Sequence, residues 1–455
     1  MTERRADVLV VGAGISGLAL ATRLADRGVA VRVIDAAPVA GGNLRTRRVE
    51  TSAGAWLLDL GPNSFGDASA PFMDLVRAAG IEDRLVRSTA GGRRFIWRRG
   101  RLREVPSSPL RFAVSGLLPF TGVLRLACEP FIAARPASAG EESLGAFCDR
   151  RLGRAAREKL LTPVVGGIYA GDPMRLGAES AFPAMIALER EHGSLIRAAM
   201  RGNGPPSRGT LSSFRDGLAE LPAALARRLG NSLTLGATAR RIAKDGDGWR
   251  VETQDAGAFA ATTLVLATPA ATTADLVAPA DATLAAELNA IEYAPMTVVH
   301  IGVRRDAVRA LPPGFGFLVP RDEGLRILGA IFSSVLFEGR APAGHDLLTI
   351  FAGGSLDPGA ASMDDDAVRA FVLADLARAI GLSGDPALVE VTRWPRAIPQ
   401  YVVGHKDRVL RIDELVRRHA GLRLAGNWRG GIAMPDCVRN ANCLADELAG
   451  GRPSR

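Results

Sequence analysis

Gly12-Ala13-Gly14-Ile15-Ser16-Gly17 stands between a short apolar run, Asp7 to Val11, and an alanine- and leucine-rich stretch, Leu18 to Arg27, with a second apolar run at Val29 to Ile34. The order predicts strand, tight turn, helix, strand, which is a βαβ unit. In that context the glycine spacing has a physical meaning. Glycines let the backbone turn sharply and approach a pyrophosphate, whose charge then rests on free amides at the positive end of the helix. Asp35 ends the second strand, with Ala36 next to it, where a carboxylate can accept hydrogen bonds from ribose hydroxyls.

Two further segments extend this site. Gly41-Gly42-Asn43-Leu44-Arg45-Thr46 is a second glycine turn carrying an arginine suited to the pyrophosphate, and Gly426-Asn427-Trp428-Arg429-Gly430-Gly431-Ile432-Ala433-Met434 leads into the last helix. Together they resemble the flavin amine oxidase superfamily. The resemblance implies FAD, held by Gly12, Ala13, Gly14, Ile15, Ser16, Gly17, Asp35, Ala36, Gly42, Asn43 and Arg45, with Gly426, Ile432, Ala433 and Met434 returning to the flavin. No cysteine or histidine lies in these segments to form a covalent link, so binding is expected to be non-covalent. The late amides could stabilise negative charge on the reduced flavin.

With 455 residues, 47% of them hydrophobic and 23% charged, the chain is long enough for several lobes around one cofactor. Its 57 basic and 48 acidic residues give a charge of +9. Lysine occurs only at Lys159, Lys244 and Lys406, and no basic run is interleaved with aromatics, so a nucleic-acid partner is not expected. Cys128, Cys148, Cys437 and Cys443 have neither CxxC spacing nor histidine partners, which reads as reduced thiols and no metal site. The charged start, Met1 to Asp7, runs straight into a strand and leaves no room for a signal peptide, so residence in the cytoplasm is expected.

Along the chain, an α/β class is expected with five segments. Residues 1–80, 206–275 and 411–455 read as three parts of a Rossmann-like FAD-binding domain. Residues 81–205 read as an inserted helical lobe, ending at a Gly/Pro/Ser-rich loop from Gly202 to Gly209, and 276–410 as a β-rich substrate domain. Strands are expected at 94–97, within the helical segment, and at 233–235, 249–252, 263–267, 297–303 and 347–351, and helices at 218–229, 365–380 and 435–448. Within the helical lobe, Phe112 to Leu124 is uncharged but too short to cross a bilayer, which needs about 20 apolar residues. A buried helix pair and monotopic attachment both fit.

Several stretches across nearly the whole chain resemble the protoporphyrinogen oxidase family, above all its plant and myxobacterial forms. They are Leu60-Gly61-Pro62-Asn63-Ser64-Phe65, Gly167-Ile168-Tyr169-Ala170-Gly171-Asp172-Pro173, Gly314 to Pro320, Leu328 to Phe332 with Phe337 and Arg340-Ala341-Pro342, and Arg393-Trp394-Pro395 with Ile398-Pro399-Gln400-Tyr401 and Gly404-His405. The resemblance implies that Gly61, Pro62, Asn63 and Ser64 line the flavin ring and that Ala239 and Trp394 touch FAD. Ala239 stands where the family usually has valine, a loss of two methyls that would loosen adenine packing slightly. It also implies Arg94 on a substrate propionate, Leu318 and Phe337 on the macrocycle faces, and the backbone of Gly171 closing the pocket.

The implied reaction moves hydride from a bridging methylene of a porphyrinogen to FAD in three two-electron steps, with loss of a pyrrole proton, and dioxygen as acceptor giving hydrogen peroxide. Asn63 is the candidate polar group near the reacting carbon; His192, His300, His345, His405 and His419 have no paired carboxylate in a motif. The resemblance further implies peripheral contact with the inner face of the cell membrane, and either a homodimer or a hand-off to the next enzyme of the haem pathway. Protoporphyrinogen and coproporphyrinogen both remain open as substrates. An amine or polyamine oxidase usually holds a lysine in the run matching Met296 to Arg304, which has none; a carotenoid desaturase and a non-catalytic flavin-binding module are further alternatives.

Overall fold

A computed structural model describes residues 4–450, apart from residues 89, 91, 107, 204–208 and 310. Most of the expected Gly202–Gly209 loop thus lies outside the described residues. Strand β1 (Arg4–Val11), helix α1 (Ile15–Asp26) and strand β2 (Val31–Ile34) form the βαβ unit. In β1, Val8 and Val10 point to one core while Leu9 and Val11 point to the other, so both faces are covered and the strand reads as a continuous apolar run. Three later segments complete the parallel sheet: β3 (Leu233–Thr234) beside β2, β4 (Ala258–Leu266) beside β1, and β5 (Leu422–Leu424) beside the end of β4. Helix α2 (Met434–Gly450) and Glu220–Leu229 pack on the α1 side, through Val438, Ala441, Leu221 and Leu225. The chain therefore enters this domain three times, as the spacing of its strands requires, and residue 12 sits at the carboxyl edge of β1 where ligands bind in such sheets.

A second, seven-stranded sheet is built around Tyr293–Arg304, which pairs antiparallel with His345–Gly353 on one side and Leu388–Pro399 on the other. Its back face buries Val299, Ile301, Phe317, Ala330 and Ile350 against helix Asp365–Ile380, whose Val368, Val372 and Leu376 are fully buried. Its front face presents Leu318, Gly329, Phe351, Val298, Met296 and Trp394, which are register partners and so point the same way. That face looks toward the nucleotide domain, since Trp394 Nε1 donates to the Leu60 carbonyl at 2.8 Å.

Three differences from the sequence reading have physical causes. The strand expected at 94–97 is Phe95–Arg98; with Arg101–Glu104 it joins the second sheet, Phe95 beside Phe317, rather than standing in a helical lobe. Helices begin at Pro109. Ala270–Val277 and Ala282–Asn289 pack into the nucleotide-domain core through Leu276, Leu284 and Leu288, and helix His405–Arg417 straddles the expected boundary at residue 410. Leu388–Pro399, not singled out in the sequence, is an edge strand whose register shifts opposite Ala294–Met296, the placement that spares Pro395 its missing donor.

Candidate flavin site and substrate wall

Gly12 adopts φ +113°, and a Cβ there would lie 2.6 Å from the Ala267 carbonyl oxygen. Conformation and close packing both demand glycine. Gly14 is different: its φ of −72° and ψ of 176° suit any residue, and a Cβ would meet nothing within 4 Å. The protein itself gives no reason for a glycine there; the space it keeps clear is open to a ligand at the first turn of α1. The second glycine turn closes on the same spot, with Gly41 N donating to the Ala13 carbonyl at 2.8 Å and a Cβ on Gly42 lying 3.3 Å from the Gly14 Cα. A pyrophosphate fits this glycine-lined cradle, beside amides that a first helical turn leaves unpaired.

Asp35 does more than the sequence indicates. Its carboxylate accepts from Ala13 N at 2.6 Å and from Ala37 N at 2.7 Å, tying the glycine turn to the end of β2. Each oxygen keeps a further lone pair for a ribose hydroxyl. Ala36 is exposed beside it, and Ala239 opens a strand next to Ala237, whose amide donates to the Asp35 carbonyl at 2.8 Å. Arg45 donates from Nε to Gly42 O at 3.0 Å and lies over the Trp394 ring at 5.5 Å. No ion pair engages it among the described residues, leaving its charge for the ligand.

The segments meant to face the flavin ring converge. Leu60 N donates to Arg45 O at 2.8 Å, so Gly61 to Ser64 follows directly from the arginine turn. Asn63 lines a small cavity with Asp59, Phe337, Arg340, Ser333 and Thr349. At the other end of the chain, Tyr401 donates to the Asn427 carbonyl at 2.7 Å and accepts from Gly431 N at 3.0 Å, which fixes the loop carrying Ile432 and Ala433 into Met434. Cys437, three residues on, is buried; burial pushes its thiol up to about 11, so it stays protonated and unreactive.

On the substrate side, the expected residues fall into two linked groups. Leu318 meets helix Thr162–Tyr169, where a Cβ on Gly167 would lie 2.9 Å from Leu318 Cδ2, and Gly171 follows that helix, packed under Gln400. Phe337 is buried, packing with Ile331 and Leu336 and bordered by Phe315 and Phe351. Arg94 lies over Phe315 at 5.8 Å. Of the alternatives Arg93, Arg98 and Arg99, two are otherwise engaged: Arg93 pairs with Glu104 at 2.6 Å, and Arg98 is buried, bonded to Glu323 and to the Leu117 carbonyl. Arg94 carries no ion pair among the described residues.

Two features escaped the sequence reading. Asp59, next to the flavin-facing loop, is buried with its carboxylate bonded to Thr46 Oγ1 at 2.6 Å and Leu218 N at 2.9 Å, and Arg340 lies 3.7 Å away. Burial raises its pKa while Arg340 opposes the rise. Tyr401 was quoted in a motif but given no role. Of the histidines, His300 and His405 are buried donors to backbone carbonyls, Nε2 to Asp59 O at 3.1 Å and to Trp428 O at 2.9 Å. Burial pushes each down to about 4. Both must therefore be neutral in the fold but charge when unfolded, so stability is full above pH 6.5 and falls as pH drops from about 6.5 toward 4. Thermal melts across that range should flatten in His300→Gln and His405→Gln; unchanged acid sensitivity in both contradicts this assignment.

A glycine cradle on a parallel sheet, facing an apolar sheet across one shared loop, defines a two-domain flavoprotein. The chain belongs to the flavin containing amine oxidoreductase family, whose match spans residues 15–449. It is a flavin-dependent oxidoreductase with FAD as cofactor. It is 34% identical to the chloroplastic protoporphyrinogen oxidase of Oryza sativa subsp. japonica over 98% of this chain and 88% of that protein. It is 26% identical to the coproporphyrinogen III oxidase of Bacillus subtilis (strain 168), over 96% of this chain and 97% of that one. Among solved structures, a candidate protoporphyrinogen oxidase from Exiguobacterium sp. 255-15 superposes with a TM-score of 0.83 at 25% identity, over 99% of this chain and 100% of the other.

Proposed function

We propose that this chain oxidises protoporphyrinogen IX to protoporphyrin IX in haem biosynthesis, with coproporphyrinogen III to coproporphyrin III as the second reading. The observation that carries the proposal is the apolar front face of the second sheet, Leu318, Phe351 and Leu328, opposed to the Gly61–Ser64 loop, with an unpaired arginine at its rim. A porphyrinogen is a broad apolar ring with carboxylates at an edge, and needs such walls and such a fork. Bound FAD supplies hydride acceptance from the bridging methylene carbon and reoxidation by dioxygen to hydrogen peroxide. The protein's part is positional. Gly14 and Gly42 clear room for the pyrophosphate, Asp35 takes the ribose, Arg45 offsets the phosphate charge, and Asn63 offers a neutral amide beside the reacting carbon. No side-chain base is required, because the pyrrole proton leaves as conjugation grows.

The amine-oxidase reading loses ground on the lysines. Lys159 pairs with Asp322, Lys244 caps the Ala420 carbonyl and Lys406 pairs with Glu179, so all three are engaged away from the Trp394 face. The presence of a coproporphyrinogen III oxidase among the relatives supports the second reading.

Arg94→Ala is expected to raise KM for the porphyrinogen by about tenfold, in keeping with about 1.5 kcal/mol for a charge-assisted bond at an exposed site. Flavin content should not change. Arg93→Ala, which frees only Glu104, should shift KM far less. Equal losses in the two variants, or none in Arg94→Ala, would remove Arg94 from the site.

We also propose peripheral contact with the inner face of the cell membrane. Pro109–Val114, Phe120–Ala127 and Glu129–Phe131 form a compact cap in which Leu117 and Leu118 are buried while Leu110, Val114, Phe120 (75% exposed) and Phe131 (84% exposed) face outward. Glu129, fully buried, holds the cap by accepting from Arg151, Ser194 and the Leu195 and Ile196 amides. No helix among the described residues is long and apolar enough to cross a membrane. An outward apolar ridge beside an exposed Arg111 suits an anionic lipid surface. The protein should float with anionic liposomes at low salt, and Phe120→Asp with Phe131→Asp should abolish flotation; wild-type protein that stays in solution defeats this attachment.

A further inference from the structure

We infer that Arg321 is a second carboxylate anchor, which sets how many acidic arms the substrate can present; this deepens, and rests on, the porphyrinogen reading above. Arg321 opens the turn Arg321–Glu323, directly after strand Gly316–Leu318, whose Leu318 forms the substrate wall. It lines the mouth of a cavity whose other walls include Thr162, Gly166, Gly171, Leu328 and Leu356. Two of these, Gly171 and Leu328, belong to the surfaces already placed around the macrocycle.

Three carboxylates close to Arg321 in sequence or across the cavity are held by other cations among the described residues. Asp322 pairs with Lys159, Glu323 pairs with Arg98 and accepts from Arg99 N at 2.7 Å, and Asp357 pairs with Arg326 at 2.7 Å. Arg321 itself donates to the Leu356 carbonyl at 2.7 Å and has no ion pair among the described residues. A guanidinium has five donors, so most of this fork is open to the cavity mouth. Arg321 thus keeps its charge while Lys159, Arg98 and Arg326 are paired.

Position gives the charge its meaning. Arg94 adjoins the start of the same strand, where Phe315 N donates to Arg93 O at 2.9 Å, and Arg321 follows its end. At about 3.3 Å per residue the strand alone spans about 7 Å, and the two arginines lie beyond its opposite ends. Leu318 lies between them. A dicarboxylate porphyrinogen has both acidic arms on one edge and reaches one arginine; a tetracarboxylate porphyrinogen has acidic arms on opposite edges and reaches both. Arg321 is thus a specificity-determining residue, favouring the tetracarboxylate at the far edge without touching the reacting carbon.

The test uses the flavin-loaded wild type, Arg321→Gln, and Arg369→Gln as an exposed control on the outer helix. Steady-state oxidation is followed with the di- and tetracarboxylate porphyrinogens, and binding of the two oxidised porphyrins by fluorescence quenching. Arg321→Gln should raise KM and Kd for the tetracarboxylate by about tenfold, leaving the dicarboxylate within about twofold, with kcat and flavin content unchanged. Equal shifts for both compounds, shifts shared by Arg369→Gln, or no shift would overturn the assignment of Arg321. If the wild type itself oxidises neither porphyrinogen, the proposed function fails, and that failure is visible before any variant is compared.

Discussion

Gly14→Leu should purify as a folded, colourless protein. The wild-type residue has ordinary extended dihedrals and no atom within 4 Å of its missing Cβ, so the substitution starts without strain or clash at Cβ and should cost the apoprotein little. The leucine side chain would fill the space between the two glycine turns, where Gly42 already approaches the Gly14 Cα, and take the place of the pyrophosphate. The check is flavin absorbance per polypeptide together with circular dichroism and the melting temperature of the apoprotein. Gly12→Leu makes the contrast: with φ +113° and a carbonyl 2.6 Å from the added Cβ, it should lose stability as well as flavin. Gly14→Leu protein that keeps a full complement of flavin would show that the cofactor lies elsewhere.

Arg340→Met is expected to be the most destabilising single substitution near the site, by about 3 to 5 kcal/mol, the usual consequence of removing one partner of a buried ion pair. Arg340 is buried, bonded to Ser213 Oγ at 2.9 Å and to the Phe214 and Arg215 carbonyls at 3.0 and 3.2 Å, and its ring neighbour is Phe337 at 5.5 Å. Its loss would strand the Asp59 carboxylate, whose pKa burial already raises. The fold would then favour a protonated Asp59 more strongly than the unfolded chain does, so the variant should be least impaired at low pH and worsen as pH rises. Pairing it with Asp59→Asn should recover part of the loss. Denaturant melts of the single and double variants measure both effects; a loss under about 1 kcal/mol, or no recovery in the double variant, would show that the pair is not what holds the flavin-facing loop.

Local chemistry made the nucleotide half legible. A glycine turn between two apolar strands has one reading, and β1, α1 and β2 lie within a few residues of their expected bounds. Helix Asp365–Ile380 was equally clear, because Asp364 and Gly381 mark its ends and its apolar residues recur at helical spacing. What could not be read locally is pairing. Phe95–Arg98 is a strand because Phe317 and Leu318 lie beside it, more than two hundred residues later, and nothing within four residues of Phe95 says which sheet it joins. Leu388–Pro399 was not singled out in the sequence, and its Pro395 is one that an edge and a bulge accommodate.

The site divides in the same way. Gly14, Asp35 and Arg45 stand out by type and spacing, and Asn63 and Trp394 were proposed from the family resemblance. Weighing Arg94 against its neighbours Arg93, Arg98 and Arg99 needs partners that sequence does not show: Glu104 engages Arg93 and Glu323 engages Arg98. Asp59 and Arg340 are far apart in the chain and meet only in the fold. Arg321 stands out because it keeps its charge while Lys159, Arg98 and Arg326 are paired.

In the proposed reaction a porphyrinogen delivers its electrons to this flavin. An anaerobic titration of the purified, flavin-loaded protein with protoporphyrinogen, recorded as flavin absorbance and porphyrin fluorescence together, tests it most directly. The yellow absorbance should bleach as red fluorescence grows, air should restore the yellow colour, and putrescine or other amines should leave it untouched. Flavin that stays oxidised in the presence of protoporphyrinogen and coproporphyrinogen alike, or that bleaches with an amine instead, would contradict it.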